Sequence, residues 1–320
     1  MMTRIKIALI ISAIAFAGNI TKAQVSCFAK SYLKDENFLR FKSTTTIFTL
    51  RYGDYENIDQ YRVAIQKAWT ITPFLIVKPN ELIKYQNNST YSFFYFDSYV
   101  EQPDSLYSLN IIYALKLGAE KTTRRNMPIV ATINLYPDLY SLKYMQDIGY
   151  SYVSALDKRK LFANNLYKHS TFYNWSPGFL TTYLTLLDKA LRSRNEFDIE
   201  FETADKSNLS KLKNEPLYIP EYVKDSFNQE FNQYSILNEV NEGNNEKYLY
   251  QIKFVSTKEL DELILSKDSD IKYLVYTQNS FDKVITIYNS KNNKIIYQKY
   301  TPKSYGFRNS DLSSIQKNVN

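Results

Sequence analysis

The chain has 320 residues and a formal net charge of +7; its 44% hydrophobic and 23% charged residues are ordinary for a folded globular protein and exclude a disordered one. With one cysteine and one histidine it excludes an intramolecular disulfide, a cysteine metal cluster and a multi-histidine metal site. Its 7 glycines are scattered singly, with no G-x-G-x-x-G or Gly-Lys-Ser/Thr run, so no phosphate loop and no cofactor are expected.

The first 23 residues read as an export leader. Arg4 and Lys6 give a basic start, Ile7 to Phe16 an apolar run, and Thr21-Lys22-Ala23 a processing site before Gln24. The apolar run is too short to span a bilayer, and no transmembrane segment is expected after it. Cys27 follows closely, but Gln24-Val25-Ser26 is not the pattern that directs lipidation, so soluble export to the periplasm or beyond is preferred over a lipid anchor. Removing the leader takes away Arg4, Lys6 and Lys22 and no acid, so +7 becomes +4, which points to no nucleic-acid partner.

After a mixed stretch from Phe28 to Lys42, with one short helix expected around Ala29–Leu33, the β-branched run Thr44–Leu50 reads as a strand. Ile58, Tyr61, Ala64, Ile65 and Ala68 recur at helical spacing. Phe74–Val77 is a short apolar strand, and Lys78-Pro79-Asn80-Glu81-Leu82 is expected to open a helix with proline in its first turn. Tyr91–Tyr99 is aromatic on both alternating faces, as expected for a central strand covered on both sides. Tyr107–Leu117 and Ile129–Tyr136 alternate with period two and continue as antiparallel strands.

The same order returns near the C-terminus. Val77-Lys78-Pro79-Asn80-Glu81-Leu82 lines up with Val255-Ser256-Thr257-Lys258-Glu259-Leu260, where Ser256 and Glu259 form a capping box. Strand-like runs Ile271–Tyr276, Lys283–Asn289 and Lys294–Tyr300 follow. Each half reads β-α-β-β-β. The expected fold class is α+β, with two mixed-sheet domains of which the second is a reduced repeat of the first.

Between the halves, 139–168 is helical and irregular. Ser176-Pro177 starts the clearest helix, with Phe179, Leu180, Tyr183, Leu184, Leu187 and Leu191 as its apolar stripe and Thr182, Lys189 and Arg192 facing away. The stretch 197–243 reads as a connection with short helical pieces such as Tyr222–Phe231. The expected domains are 24–240, with a helical extension, and 246–320.

Few residues point to chemistry. His169 lies in a polar stretch with no neighbouring carboxylate and reads as a surface residue. Asp97, Glu101, Asp104 and Asp138 follow strand ends; if those ends converge, two or three carboxylates would serve as acid and base, as in glycoside cleavage. The alternative is that they are turn residues, since Pro103-Asp104 and Pro137-Asp138 are turn dipeptides. Lys116, Lys121, Arg124 and Arg125 form a basic cluster expected at a hairpin tip, and Lys158-Arg159-Lys160 a second. With 29 tyrosines and 19 phenylalanines, rings are available for cores, protein interfaces and glycan platforms alike.

The leader, the Lys-, Asn-, Ile- and Tyr-rich composition and the modules without catalytic signatures resemble uncharacterised exported proteins of AT-rich Gram-negative bacteria such as the Bacteroidetes. The resemblance is one of style and rests on no specific motif. It implies an envelope location and carries over no functional residue. The expectation is a non-catalytic module binding another envelope protein or a glycan, with a carboxylate-dependent hydrolase of envelope glycans as the alternative; no catalytic, cofactor or metal residue is assigned.

Overall fold

The computed structural model describes residues 23–28, 30, 34–101, 108–120, 127–150, 155–198, 201–228, 233–236, 247–279 and 282–320. The first 22 residues, most of Ala29–Leu33, Asp104, Lys121, Arg124 and Arg125 therefore lie outside the described residues.

The first sheet takes β1 (Val25–Cys27), β2 (Thr45–Thr49), β3 (Phe74–Val77), β4 (Tyr91–Glu101), β5 (Ser108–Leu117) and β6 (Ile129–Leu135). Its spatial order is β3-β2-β4-β5-β6-β1, with β3, β2 and β4 parallel and the rest antiparallel. The second sheet takes β7 (Glu202–Ala204), β8 (Leu217–Pro220), β11 (Ile252–Val255), β12 (Lys272–Gln278), β13 (Lys283–Asn289) and β14 (Lys294–Thr301). Its order is β11-β8-β12-β13-β14-β7, again with three parallel strands and then antiparallel ones. Strand for strand, the two sheets are wound alike. A separate hairpin, β9 (Asp225–Asn228) and β10 (Gln233–Ile236), is inserted between β8 and β11.

The register carries the repeat to single residues. Thr46 pairs with Phe74 on one side and Ser92 on the other; Leu217 pairs with Ile252 and Lys272. Phe74 thus matches Ile252, and Val77 matches Val255, as the sequence alignment has it. Helix α1 (Asp35–Lys42) has its counterpart in α6 (Lys206–Leu209) and the following 3₁₀ turn. Phe38 and Phe41 cover the first sheet on the face of Phe94 and Phe96, while Leu209 and Leu212 cover the second on the face of Leu274 and Tyr276.

The repeat is longer than the sequence shows. β7 and β8 lie in the stretch read as a connection, before residue 246. Strands of 3 and 4 residues are too short to display alternation, and only their pairing defines them. The expected helical piece Tyr222–Phe231 is instead a 3₁₀ turn, Glu221–Lys224, followed by β9.

The helix expected after Pro79 is likewise only a 3₁₀ turn, Leu82–Lys84, whereas its counterpart α7 (Thr257–Leu265) is a full helix. In α7, Leu260 and Ile264, one turn apart, are both buried. In the first copy Leu82 is buried but the residue one turn later is Gln86, so no apolar stripe holds a second turn down.

β4 is central and buried on both faces. Phe94 and Phe96 enter the main core, and Phe93 and Tyr95 a smaller one with Ile47, Val77, Leu82 and Met127. The main core is filled by α2 (Ile58–Ala68) and α5 (Pro177–Ser193). α5 lies between the sheets: Val25 and Cys27 of β1 share its core on one side, and Phe179 and Tyr183 reach Tyr273 and Tyr288 of the second sheet, each with ring centroids 6.2 Å apart. This corrects the expected orientation of Thr182, which is buried and hydrogen-bonds the Tyr273 hydroxyl at 2.7 Å. α3 (Leu139–Tyr150) and α4 (Ala155–Lys168) flank the first sheet, and α8 (Asn309–Val319) covers the outer face of the second with Leu312, Ile315 and Val319.

Candidate functional site

A cleft opens where the two units meet. A cavity of about 560 Å³ is lined by Asn57, Gln60 and Tyr61 from the first unit, Trp175, Ser176 and Pro177 at the start of α5, and Lys258, Asp261 and Glu262 of α7. A second cavity of about 310 Å³ adjoins it at Asn57 and Tyr61 and continues past Arg51 to Lys168, His169, Ser170 and Thr171. Both volumes suit small polar ligands or a segment of a larger one.

Its floor is a buried polar cluster on the 3₁₀ turn Tyr52–Asn57. Asp54 accepts from the Arg51 backbone N–H at 2.9 Å, from Arg51 Nη2 at 2.6 Å and from Trp175 Nε1 at 3.2 Å. Arg51 Nη1 donates to the Ser170 carbonyl at 2.8 Å, joining the turn to the end of α4. Burial works against the Arg51 charge, but the Asp54 carboxylate outweighs it and the pKa is raised. Burial, then Asp54, pushes the Tyr61 hydroxyl well above its ordinary value, so it is a neutral donor. Tyr61 and Trp175, both buried, stack beneath the cleft with centroids 6.1 Å apart.

The far wall depends on one close approach. Ser176 caps α5, its Oγ accepting from the Phe179 N–H at 3.3 Å, with Pro177 at the first helical position. Asp261 Oδ1 accepts from the Gly178 N–H at 2.6 Å. A Cβ on Gly178 would lie 2.6 Å from that oxygen and 3.3 Å from Ile264 Cβ, so glycine is what lets α7 approach. Burial raises the Asp261 carboxyl above its ordinary range, partly offset by hydrogen bonds from Ser176 and Gly178.

The acids singled out from the sequence are held elsewhere. Asp97 pairs with Lys116 at 2.8 Å and accepts from the Ser98 N–H at 2.9 Å. Asp138 accepts from the Ser141 N–H at 2.7 Å and so caps α3. Each serves its own segment of the fold. Glu101 ends β4, with its side chain outside the described residues.

Lys116 corrects the expected hairpin tip. It is buried in β5, with Nζ 5.1 Å from the Tyr95 ring centroid, and its pKa is raised. Burial opposes that charge, and Tyr95 and Asp97 more than restore it. Lys158–Lys160 fall in α4, with side chains outside the described residues. His169 is exposed, as read, but lines the second cavity beside Lys168. Among the described residues no group of three or more His, Cys, Asp or Glu is placed to hold a metal ion.

Sequence reasoning missed Asp54, Trp175 and Asp261. The one sequence signal for Asp54 is its i,i+3 spacing from Arg51, which a 3₁₀ turn brings into an ion pair. Asp261 lay inside a helix read only for its cap. No family model, curated protein or solved structure matches the chain.

Proposed function

We propose that the chain is an exported envelope protein that works as a non-catalytic binding module, taking a glycan or a segment of another envelope protein in the cleft between its two units. The observation that carries this reading is the cleft itself. Side chains from both units meet there, with amides, hydroxyls and charges of both signs set around the edges of two stacked rings. Such a lining, ring surface with a few polar groups at its edges, can orient a polar ligand. Most tyrosines do not serve this purpose: Tyr113, Tyr136, Tyr183, Tyr273, Tyr276 and Tyr288 are core residues, while Tyr140 and Tyr144 on α3 are exposed.

An unlipidated export route accords with β1. Lipid attachment at Cys27 would remove everything before it, and Gln24, Val25 and Ser26, which cleavage before Gln24 would keep, are all buried. Gln24 Nε2 donates to the Asn134 carbonyl at 2.5 Å, and the Thr277 hydroxyl of the second sheet donates to Gln24 Oε1. Among the described residues no helix is long and apolar enough to cross a membrane.

The test compares the parent with Gln60→Trp, which fills the cleft from an exposed position on α2. Envelope glycans and envelope protein extract are offered to both. Retention by the parent and loss in a folded Gln60→Trp variant is expected; equal retention by both overturns the assignment of the cleft. A second reading rests on Asp261, whose raised pKa beside Glu262 suits a general acid of a carboxylate-dependent hydrolase. Glycan turnover by the parent that Asp261→Asn abolishes would select it.

A further inference from the structure

The adjoining cavities have opposite electrical character at their two ends. At the α7 end stand two carboxylates, Asp261 and Glu262, against one ammonium, Lys258; at the other the uncompensated charge is that of Lys168, beside the His169 ring, because Arg51 is already neutralised by Asp54. Among the described residues, none of Asp261, Glu262, Lys168 and His169 has an ion-pair partner. Between the ends, the exposed Asn57 lines both cavities with an amide that donates and accepts.

We infer, on the reading of this cleft as the binding site, that its ligand is an extended zwitterion, a short peptide with a free ammonium at the Asp261–Glu262 end and a free carboxylate at the Lys168–His169 end. Asp261 is held by the Gly178 N–H and by Ser176, and a cation brought to the carboxylate from the cleft would add the charge compensation that these neutral hydrogen bonds do not give. Thr171 and Lys168 line the opposite end with a hydroxyl and an ammonium that suit a carboxylate. The Asn57 amide matches a peptide group lying between them. A neutral oligosaccharide would use the amides and hydroxyls but leave both charged ends unanswered.

The experiment is calorimetry of the mature protein with a ladder of alanine peptides, each unblocked, N-acetylated, C-amidated or blocked at both ends. Blocking either end should weaken binding about tenfold, the worth of one charge-assisted contact. Asp261→Asn should lose the discrimination against N-acetylation alone, and Lys168→Gln that against amidation alone. Glu262→Gln, at an exposed position, repeats the first arm if Asp261→Asn does not fold. Equal binding of free and doubly blocked peptides, or no peptide binding, overturns the inference. If envelope glycan or protein still binds and Gln60→Trp abolishes it, the cleft stands as the site and only the peptide assignment fails. If the peptides show the charge pattern while Gln60→Trp retains the envelope ligand, the peptide assignment stands and the broader reading fails.

Discussion

Asp261 Oδ1 and the Gly178 N–H, 2.6 Å apart, join the helix of the second unit to the first turn of the helix between the sheets. Gly178→Ala is expected to break this contact, because its Cβ would meet the carboxylate at 2.6 Å and the Asp261 carbonyl at 3.2 Å. Overpacking costs roughly 1–3 kcal/mol, against a gain of up to about 1 kcal/mol from the better helix former. A lower urea midpoint is expected, and an unchanged or higher one would show that α7 yields freely.

The same carboxylate sets a pH dependence. Burial holds the folded-state pKa of Asp261 above the ordinary 3.8, so the folded chain binds this proton more tightly than the unfolded one. Its contribution to stability is therefore full below the unfolded value and declines as pH rises through the raised one. Asp261→Asn should remove that decline. The measurement is the difference in urea midpoint between parent and variant across the acid range; a parent that gains on the variant as pH rises there contradicts the sign.

Lys283 of β13 and Asp311 of α8 form a buried pair at 2.6 Å, with Lys283 also donating to the Gly306 carbonyl at 3.0 Å. The side chains are 2% and 6% exposed, so removing either leaves a charge with no access to water. Asp311→Ala is expected to cost about 3–5 kcal/mol, and joint replacement by Met and Leu much less. Denaturant unfolding of the single and double variants decides it. Equal losses in both would place the energy in packing rather than charge.

The internal repeat gives a paired prediction. Leu82 and Leu260 are equivalent and buried, so truncating either to Ala should cost about 2–5 kcal/mol. The next residues, Ile83 and Asp261, are also equivalent, yet Ile83 is 74% exposed while Asp261 is engaged with α5. Ile83→Ser should therefore change stability by less than about 0.5 kcal/mol. Thermal melts of the three variants test whether the two units share energetics as well as strand order.

The local elements were legible because local patterning makes them. Period-two runs marked β5, β6, β13 and β14, aromatic-rich runs marked β4 and β12, helical spacing marked α2 and α5, and the match of Val77 to Val255 holds in the register of the sheets. The α+β class and the recurrence follow from those patterns alone. What only the tertiary structure decided is every feature made by residues distant in sequence. β7 exists because the sheet edge at β14 accepts it and β8 because it pairs with β11 on one side and β12 on the other, Thr182 is buried because a second sheet stands over α5, and Lys116 tolerates burial because Asp97 lies across the neighbouring strand. The cleft belongs to this second kind. Asp54, Trp175 and Asp261 are separated by more than a hundred residues end to end, and only the docking of two similar sheets on one helix brings them into one wall and floor.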